Sequence, residues 1–164
     1  MNLSKSFKCA AVFGVVALGF ATAADAATTV TNTFTVTANV TATCSITAGP
    51  LAFGTYTGAV VNATSNINVT CTNSTPYNVG LSAGAASGAT VTTRQMLNGT
   101  SPLNYALYSD TGRTKNWGVT IGTDTVTGTG SGASQTIPVY GTVPAGQYAP
   151  SGSYADTVTA SITY

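Results

Sequence analysis

Few residues of this sequence are suited to acid–base or nucleophilic chemistry. Histidine and glutamate are absent, and the carboxylates beyond the N-terminal region are Asp110, Asp124 and Asp156, no two of which lie close in sequence. A pair of carboxylates for general acid–base catalysis would have to be assembled from separate loops. A serine or cysteine nucleophile would lack its usual base. We therefore predict no catalytic residues, no cofactor and no enzymatic activity.

One loop, Tyr108–Gly118, gathers charged and aromatic side chains that could form a sugar-binding site. A structural interpretation is favoured, because Asp110 and Gly112 are typical turn residues. Arg113 can pair with Asp110 across that turn. The single tryptophan, Trp117, is expected to return to the core.

The N-terminus has the three-part layout of a secretory signal peptide. Lys5 and Lys8 precede an apolar run over residues 9–20, and the small residues of Ala24–Ala26 follow. The apolar run is too short to span a bilayer comfortably. We predict a signal peptide over residues 1–26, cleaved after Ala26, and export of the remaining chain through the periplasm to the cell surface.

Cys44 and Cys71 are the only cysteines after the signal peptide. In an exported chain such a pair is by default a disulfide, which here closes a loop of roughly 28 residues and contributes on the order of 3 to 4 kcal/mol in the chain-entropy model. The alternatives are two buried free thiols or a pair of metal ligands. Without histidine a zinc site is disfavoured, and no metal site is predicted.

The chain carries little charge. Charged residues make up 5% of it, and the formal net charge is +1. A nucleic-acid partner held through its phosphates would need a basic stripe, and none exists, so we predict no nucleic-acid binding. Weak self-repulsion is instead suited to a protein that packs against copies of itself.

The longest periodic stretch runs from Val30 to Thr47. Its alternation predicts one unbroken β-strand, with β-branched residues throughout and no Gly or Pro. The opposite face is almost entirely threonine. Apart from Asn32, the first face is apolar, and its members are Val30, Asn32, Phe34, Val36, Ala38, Val40, Ala42, Cys44 and Ile46.

This strand is too long for one domain. It would reach about 55 Å, whereas a compact domain of this size spans only about 35 to 40 Å. Its first half is therefore expected to project and to need an apolar groove, which a second copy of the molecule could supply. The alternative is a long edge strand, or a bulged strand that serves both sheets of one domain.

The rest of the chain breaks into short β-type segments separated by Gly, Pro, Asn and Asp, whose spacing predicts an antiparallel sandwich. No segment has a sustained helical period. The clearest strands are too few for the seven of an immunoglobulin-like domain unless the long first strand is used twice. The last one runs to Tyr164, so its final side chain is expected in the sheet. The predicted strands are Leu51–Tyr56, Asn66–Cys71, Tyr77–Leu81, Leu103–Tyr108, Gln135–Thr142 and Tyr154–Tyr164.

Several of these segments together resemble the spore coat protein U domain family, which includes shaft subunits of archaic, Csu-type chaperone–usher pili. The likeness covers nearly all of the chain after the signal peptide. The segments that carry the likeness are TFTVTANVTATCSIT (33–47), LAFGTY (51–56), INVTC (67–71), LNYALYSDTGRTKNWG (103–118), VYGTVPAGQ (139–147) and GSYADTVTASITY (152–164). The last three of these segments, taken together in this order, are the most specific.

The resemblance implies an all-β fold, an incomplete immunoglobulin-like antiparallel β-sandwich completed by a donor strand from a neighbouring subunit. On this basis residues 27–40 are an N-terminal donor-strand extension, and residues 41–164 are the sandwich domain. The implied donor side chains are Val30, Phe34, Val36, Ala38 and Val40. The implied acceptor groove is lined by Val158, Ala160, Ile162 and Tyr164. Two departures are Asn32, a polar residue among the donors, and Tyr164, which is terminal rather than penultimate.

The implied function is that of a structural pilus subunit, polymerised by donor-strand exchange and supporting adhesion or biofilm formation. The implied partners are copies of itself or related pilin subunits, a periplasmic chaperone and an outer-membrane usher. Two alternatives stay open. One is a spore or cyst coat or secreted matrix protein, and the other is a glycan- or surface-binding adhesin module.

Overall fold

The computed structural model describes residues 26–164. The chain divides into two compact units, the first ending at Ala38 and the second comprising Asn39–Tyr164. Except for Ala26, the predicted signal peptide lies outside the described residues. Within the described part of the chain, no helix has the length and apolar character needed to cross a membrane.

The second unit consists of β-strands joined by turns and loops, and residues 26–164 contain no helix. Eight strands are present within the described residues. They are β1 (Cys44–Ala48), β2 (Val61–Cys71), β3 (Pro76–Leu81), β4 (Arg94–Asn98), β5 (Ser101–Tyr108), β6 (Val126–Thr129), β7 (Ser134–Val143) and β8 (Ala160–Thr163).

The strands form two antiparallel sheets. The larger sheet has the order β1-β2-β7-β5-β4, and the smaller has the order β6-β3-β8. Buried side chains of both sheets belong to one hydrophobic cluster, so the sheets pack face to face as a sandwich. The prediction of an all-β antiparallel sandwich is confirmed.

The longest strand, β2, shows why the sheets form a core. From Ile67 onward its odd-numbered side chains are buried, while Asn68 and Thr70 between them are exposed. This period of two places one apolar face on the opposite sheet and one polar face in solvent. The same logic applies on the facing strands, and the buried apolar cluster comprises Ile67, Val69, Cys71, Tyr77, Val79, Leu81, Leu103, Tyr105, Leu107, Trp117, Val139 and Val143.

The disulfide between Cys44 and Cys71 is present. The two residues are direct cross-strand partners, at the first position of β1 and the last of β2. The predicted pairing is therefore confirmed. Since β1 pairs only with β2, the bond fixes the end of an edge strand to the core of the sandwich.

The prediction of one unbroken strand over Val30–Thr47 is wrong, because only Cys44–Ala48 is a strand. Residues 26–43 have no regular secondary structure. Alternation records which side chains can share a face, whereas a strand also requires a neighbouring backbone for its hydrogen bonds. Residues 26–43 form no such ladder within the described chain.

Other strand predictions also differ from the structure, because a strand forms only where a neighbouring backbone is available for hydrogen bonds. Leu51–Tyr56 forms no strand, and the predicted strand over 154–164 is divided. Ala155 makes an isolated bridge to Leu97 of β4, whereas Ala160–Thr163 pairs with β3. The sequence analysis also missed β4 and β6, which are short.

Candidate functional site

Two of the edge strands, β1 and β8, lie close together on one side of the sandwich. β1 is hydrogen-bonded only to β2, and β8 only to β3. The two strands are close neighbours in space although they do not pair. Each therefore presents a row of backbone N–H and C=O groups that another strand could use.

Next to these edges the sandwich is open, and we refer to this opening as the groove. It consists of two adjoining hollows of about 630 and 700 Å³. Residues 48–56 line one wall and residues 149–160 line the other. The floor belongs to the hydrophobic core, and both hollows share Leu51, Phe53, Met96 and Tyr154.

The wall formed by residues 48–56 is held at both ends. The Gly49 amide donates to the carbonyl of Asn66 in β2 at 2.9 Å. At the other end the Tyr56 hydroxyl donates to the Pro144 carbonyl at 2.8 Å. This wall is thus positioned by end contacts and side-chain packing instead of a continuous ladder.

Phe53 fixes the middle of the same wall. Its ring packs edge-to-face on Tyr105, with the ring centroids 5.8 Å apart. The ring also lies directly over Gly141 of β7, where a Cβ atom would come within 2.8 Å of it. A residue without a side chain is required here, because only then can the wall approach the sheet.

The opposite wall alternates cleanly between half-buried and exposed residues from Tyr154 to Thr163, with the even-numbered side chains turned inward. Val158 and Ala160, both predicted to line an acceptor groove, line the first hollow. Ile162 packs against the core. Tyr164 is 59% exposed.

One charged residue lines the groove, namely Asp156. Its Oδ2 accepts a hydrogen bond from the Tyr105 hydroxyl at 2.6 Å. Its Oδ1 accepts from the amides of Ala85 at 2.8 Å and Thr157 at 2.7 Å. Burial, and secondly the bond to Asp156, raises the pKa of Tyr105, so this phenol stays a proton donor.

A fully buried arginine, Arg94, is the cross-strand partner of Tyr105, which lines the groove. Arg94 has no exposed surface, and burial lowers the pKa of its guanidinium. An arginine nonetheless remains a cation in a protein. Its charge also acts electrostatically on Tyr105 and Asp156. The guanidinium donates to four backbone carbonyls at 2.6 to 3.0 Å, those of Leu81, Ser82, Val91 and Trp117.

The sequence analysis did not single out Arg94. A lone arginine after Thr92-Thr93 resembles a solvated cation, and three of its four acceptors lie at least 12 residues away in sequence. The one indication in the sequence is the scarcity of cations. With only five lysine and arginine residues in the chain, an isolated arginine is a candidate for burial.

The predicted donor residues lie in or beside the first unit of the chain. The side chains of Val30, Phe34, Val36 and Val40 are between 80% and 93% exposed, and Ala38 is also exposed. Apolar side chains that recur on every second residue and remain in solvent are unusual in a monomeric soluble protein. They mark residues 30–40 as a segment able to contact another surface.

The loop Tyr108–Gly118 has a structural role. Trp117 is completely buried, and its indole N–H donates to the Val79 carbonyl at 2.8 Å. Asp110 accepts from the amides of Thr114 and Lys115, and the Lys115 bond is the largest cause of its lowered pKa. The predicted Arg113–Asp110 pair is not formed between the side chains, because Arg113 instead lies over the Tyr140 ring, 5.7 Å from its centroid.

No catalytic arrangement is visible among residues 26–164. Asp110 and Asp156 each accept backbone amides, and Asp124 accepts the amide of Thr120 at 2.6 Å. These three carboxylates hold loops in place. Within the described residues, no three His, Cys, Asp or Glu residues are grouped so that they could hold a metal ion.

The fold and the groove together define a class: within residues 26–164, an antiparallel β-sandwich with one disulfide and a core that is open along one edge. The family model of the Spore Coat Protein U domain matches residues 30–161. The chain therefore belongs to the Spore Coat Protein U domain family, and the resemblance found in the sequence is confirmed. This is not a family of enzymes.

Two further proteins are similar to this chain. "Protein U" of Myxococcus xanthus is 42% identical over 130 residues, covering 71% of this chain and 72% of its own length. The second is a solved structure from Acinetobacter baumannii, the CsuC–CsuE chaperone–tip adhesion subunit pre-assembly complex of archaic chaperone–usher Csu pili. Its TM-score is 0.56 at 25% identity, and the match covers 76% of this chain but 40% of the solved chain.

Proposed function

We propose that this protein is a structural subunit of a cell-surface fibre, polymerised by strand donation along a chaperone–usher pathway. The N-terminal extension, residues 27–40, of one copy inserts into the groove of the next. The observation that carries this proposal is the groove itself, in which an apolar core lies open beside the unpaired edges of β1 and β8.

The chemistry of the extension complements that of the groove. The extension offers a row of exposed apolar side chains and an unpaired backbone, and the groove offers an apolar floor and two unpaired edges. Burial of Phe34, Val36 and Val40 at about 1.5 to 3 kcal/mol each contributes roughly 5 to 9 kcal/mol before the cost of ordering the chain. Main-chain hydrogen bonds to both edges add to this.

The same scheme accounts for the missing strand at Leu51–Tyr56. This wall runs beside the groove, and its free backbone groups would pair with an inserted strand. Its tendency to form a strand is thus expressed only when the groove is filled. Until then a periplasmic chaperone protects the open core, as the complex formed by the similar Csu subunit suggests.

Substitution on the apolar face of the extension tests the proposal. Phe34→Asp and Val36→Asp should each yield an exported, folded and disulfide-bonded subunit that forms no fibres, because a carboxylate cannot be buried unpaired in the groove. The measurements are electron microscopy of the cell surface and the polymer ladder in unheated gel samples.

Thr35→Asp and Thr37→Asp are the matched controls, since these residues lie on the opposite face of the same extension. They should polymerise normally. Fibres of ordinary length and abundance from Phe34→Asp would overturn strand donation.

A coat or secreted matrix protein is a second candidate, favoured by the description of the family. It predicts an amorphous layer around resting cells in place of thin fibres, which electron microscopy distinguishes directly. An adhesin module is a third candidate, because the similar Csu structure contains a tip adhesion subunit. Glycan-array binding by a monomer whose groove is filled with its own extension sequence would support that role.

A further inference from the structure

The apolar face of the N-terminal extension is interrupted by one polar residue, Asn32, between Val30 and Phe34. Its Oδ1 accepts a hydrogen bond from the Thr33 amide at 2.9 Å. The amide NH₂ group of the same side chain can donate two further hydrogen bonds. If this residue entered a wholly apolar groove, those donors would be buried without partners, which is costly.

The groove wall has a matching interruption. From Tyr154 to Ile162 every inward-turned side chain is apolar or aromatic except that of Asp156. Asp156 lines the first hollow together with Tyr105, the donor to its Oδ2. Its carboxylate accepts three hydrogen bonds within this chain, whereas a carboxylate has about four acceptor sites.

We propose that Asn32 of one copy donates its side-chain amide to the carboxylate of Asp156 in the next copy and thereby sets the register of the inserted strand. This inference rests on the proposed strand donation and names the polar contact that specifies it. A hydrogen bond to a charged acceptor in a water-poor groove is stronger than one between neutral groups.

The spacing on the two strands supports this register. Residues two apart lie roughly 6.6 Å apart in any extended strand. With Asn32 opposite Asp156, Val30 and Phe34 on either side fall opposite Tyr154 and Val158, whichever way the strand runs. Apolar side chains then meet apolar walls on both sides of the polar pair.

A slip by two residues removes that match. It would place the Asn32 amide against Tyr154 or Val158 and an apolar side chain against the Asp156 carboxylate. Both polar groups would lose water without gaining a partner. The polar pair therefore makes shifted registers energetically unfavourable, as single buried polar residues do in other assemblies.

Asn32→Leu tests this contact, because it separates a polar register contact from simple filling of an apolar pocket. If Asn32 only fills space, leucine buries more apolar surface, and the fibres should dissociate more slowly in guanidinium. If Asn32 bonds to Asp156, the carboxylate loses its partner, and dissociation should be roughly tenfold faster or more. Thr33→Leu, on the outward face, is the control and should leave the rate unchanged.

Asn32→Asp in full-length subunits adds a charge test, since it brings two carboxylates together and should accelerate dissociation beyond Asn32→Leu. Combining it with Asp156→Asn should recover part of the loss, so that the double-mutant cycle shows favourable coupling. Asn32→Asp lies on the extension and leaves the folded unit intact, so this variant is informative even if Asp156→Asn disturbs the loop at Ala85.

The outcomes separate the two proposals. If Phe34→Asp still polymerises, strand donation itself fails. If Phe34→Asp blocks polymerisation but Asn32→Leu fibres are as durable as wild-type fibres or more so, only the Asn32–Asp156 contact is overturned. Additive effects in the Asn32→Asp and Asp156→Asn cycle would overturn it as well.

Discussion

Tyr105 joins the core of the sandwich to the wall of the groove. Its ring is buried against Phe53, and its hydroxyl donates to Asp156. Arg94, its cross-strand partner, donates to four carbonyls in three segments. Individual polar side chains therefore hold the groove open in a defined shape, although its surface is mostly apolar.

The raised pKa of Tyr105 predicts a stability change at high pH. In the unfolded chain this tyrosine titrates near 10, and in the folded protein it titrates higher. Its contribution to stability is therefore fully present below about pH 10 and is lost as the pH rises toward the folded value, by up to about 1.4 kcal/mol per pH unit. The free energy of unfolding of the wild-type protein should fall over this range.

Urea denaturation at several pH values above neutrality measures this effect. In Tyr105→Phe the decrease above pH 10 should be smaller, because the titrating phenol is gone. Tyr148→Phe is the matched control, since Tyr148 is 98% exposed and should leave the profile as in the wild type. Equal profiles for Tyr105→Phe and the wild type would contradict the prediction.

At the scale of elements, β1 is attached to the sandwich partly by a covalent bond. It has five residues, pairs on one side only, and is fixed to β2 by the disulfide at its first position. In the proposed fibre, a pulling force on the extension would pass to the core through this strand. The disulfide lies at the point where that force enters the sandwich.

Removal of the disulfide should destabilise the subunit. Replacing Cys44 and Cys71 by alanine, or reducing them, should lower the free energy of unfolding by about 3 to 4 kcal/mol, because the unfolded chain regains the entropy of an open loop. Urea titrations with and without dithiothreitol measure this. The double alanine variant is the control for the reductant, because dithiothreitol should not change its stability. A wild-type protein whose free energy of unfolding is insensitive to reduction would contradict the prediction.

At the scale of the whole molecule, the proposed scheme treats the sandwich as one strand short of a closed core. Several of the side chains that form the hydrophobic cluster line the groove that an incoming strand would fill. Folding and assembly are therefore coupled in the proposed scheme, because the last apolar surface is buried only between copies. Such a subunit gains stability by mass action when its groove is filled.

A covalently supplied strand tests this coupling. A second copy of residues 28–42, attached after Tyr164 through a short Gly/Ser linker, should fill the groove of its own chain and give a monomer with a higher Tm that no longer polymerises. Thermal unfolding and size-exclusion chromatography measure both effects. The same tail carrying Phe34→Asp should leave the Tm unchanged, and a tail that fails to raise it would contradict the scheme.

Much of the fold could be predicted from local patterns. Alternation over Asn66–Cys71 and Leu103–Tyr108 indicated core strands, and both lie within observed strands. The two cysteines, in a chain with export features, predicted their bond. The burial of Trp117 in a turn-rich loop was also foreseen. These features depend on the types and spacing of near neighbours.

The sequence by itself determined which faces of the chain are apolar, which cysteines can pair and that histidine and glutamate are absent. Only the tertiary structure decided which strands find a partner, so that Leu51–Tyr56 and residues 30–43 lack a ladder despite their patterns. It also decided that Arg94 is buried under four carbonyls and that Asp156 faces the groove. The reason is physical: the direction of a side chain follows from its own backbone, whereas pairing and burial depend on segments distant in sequence.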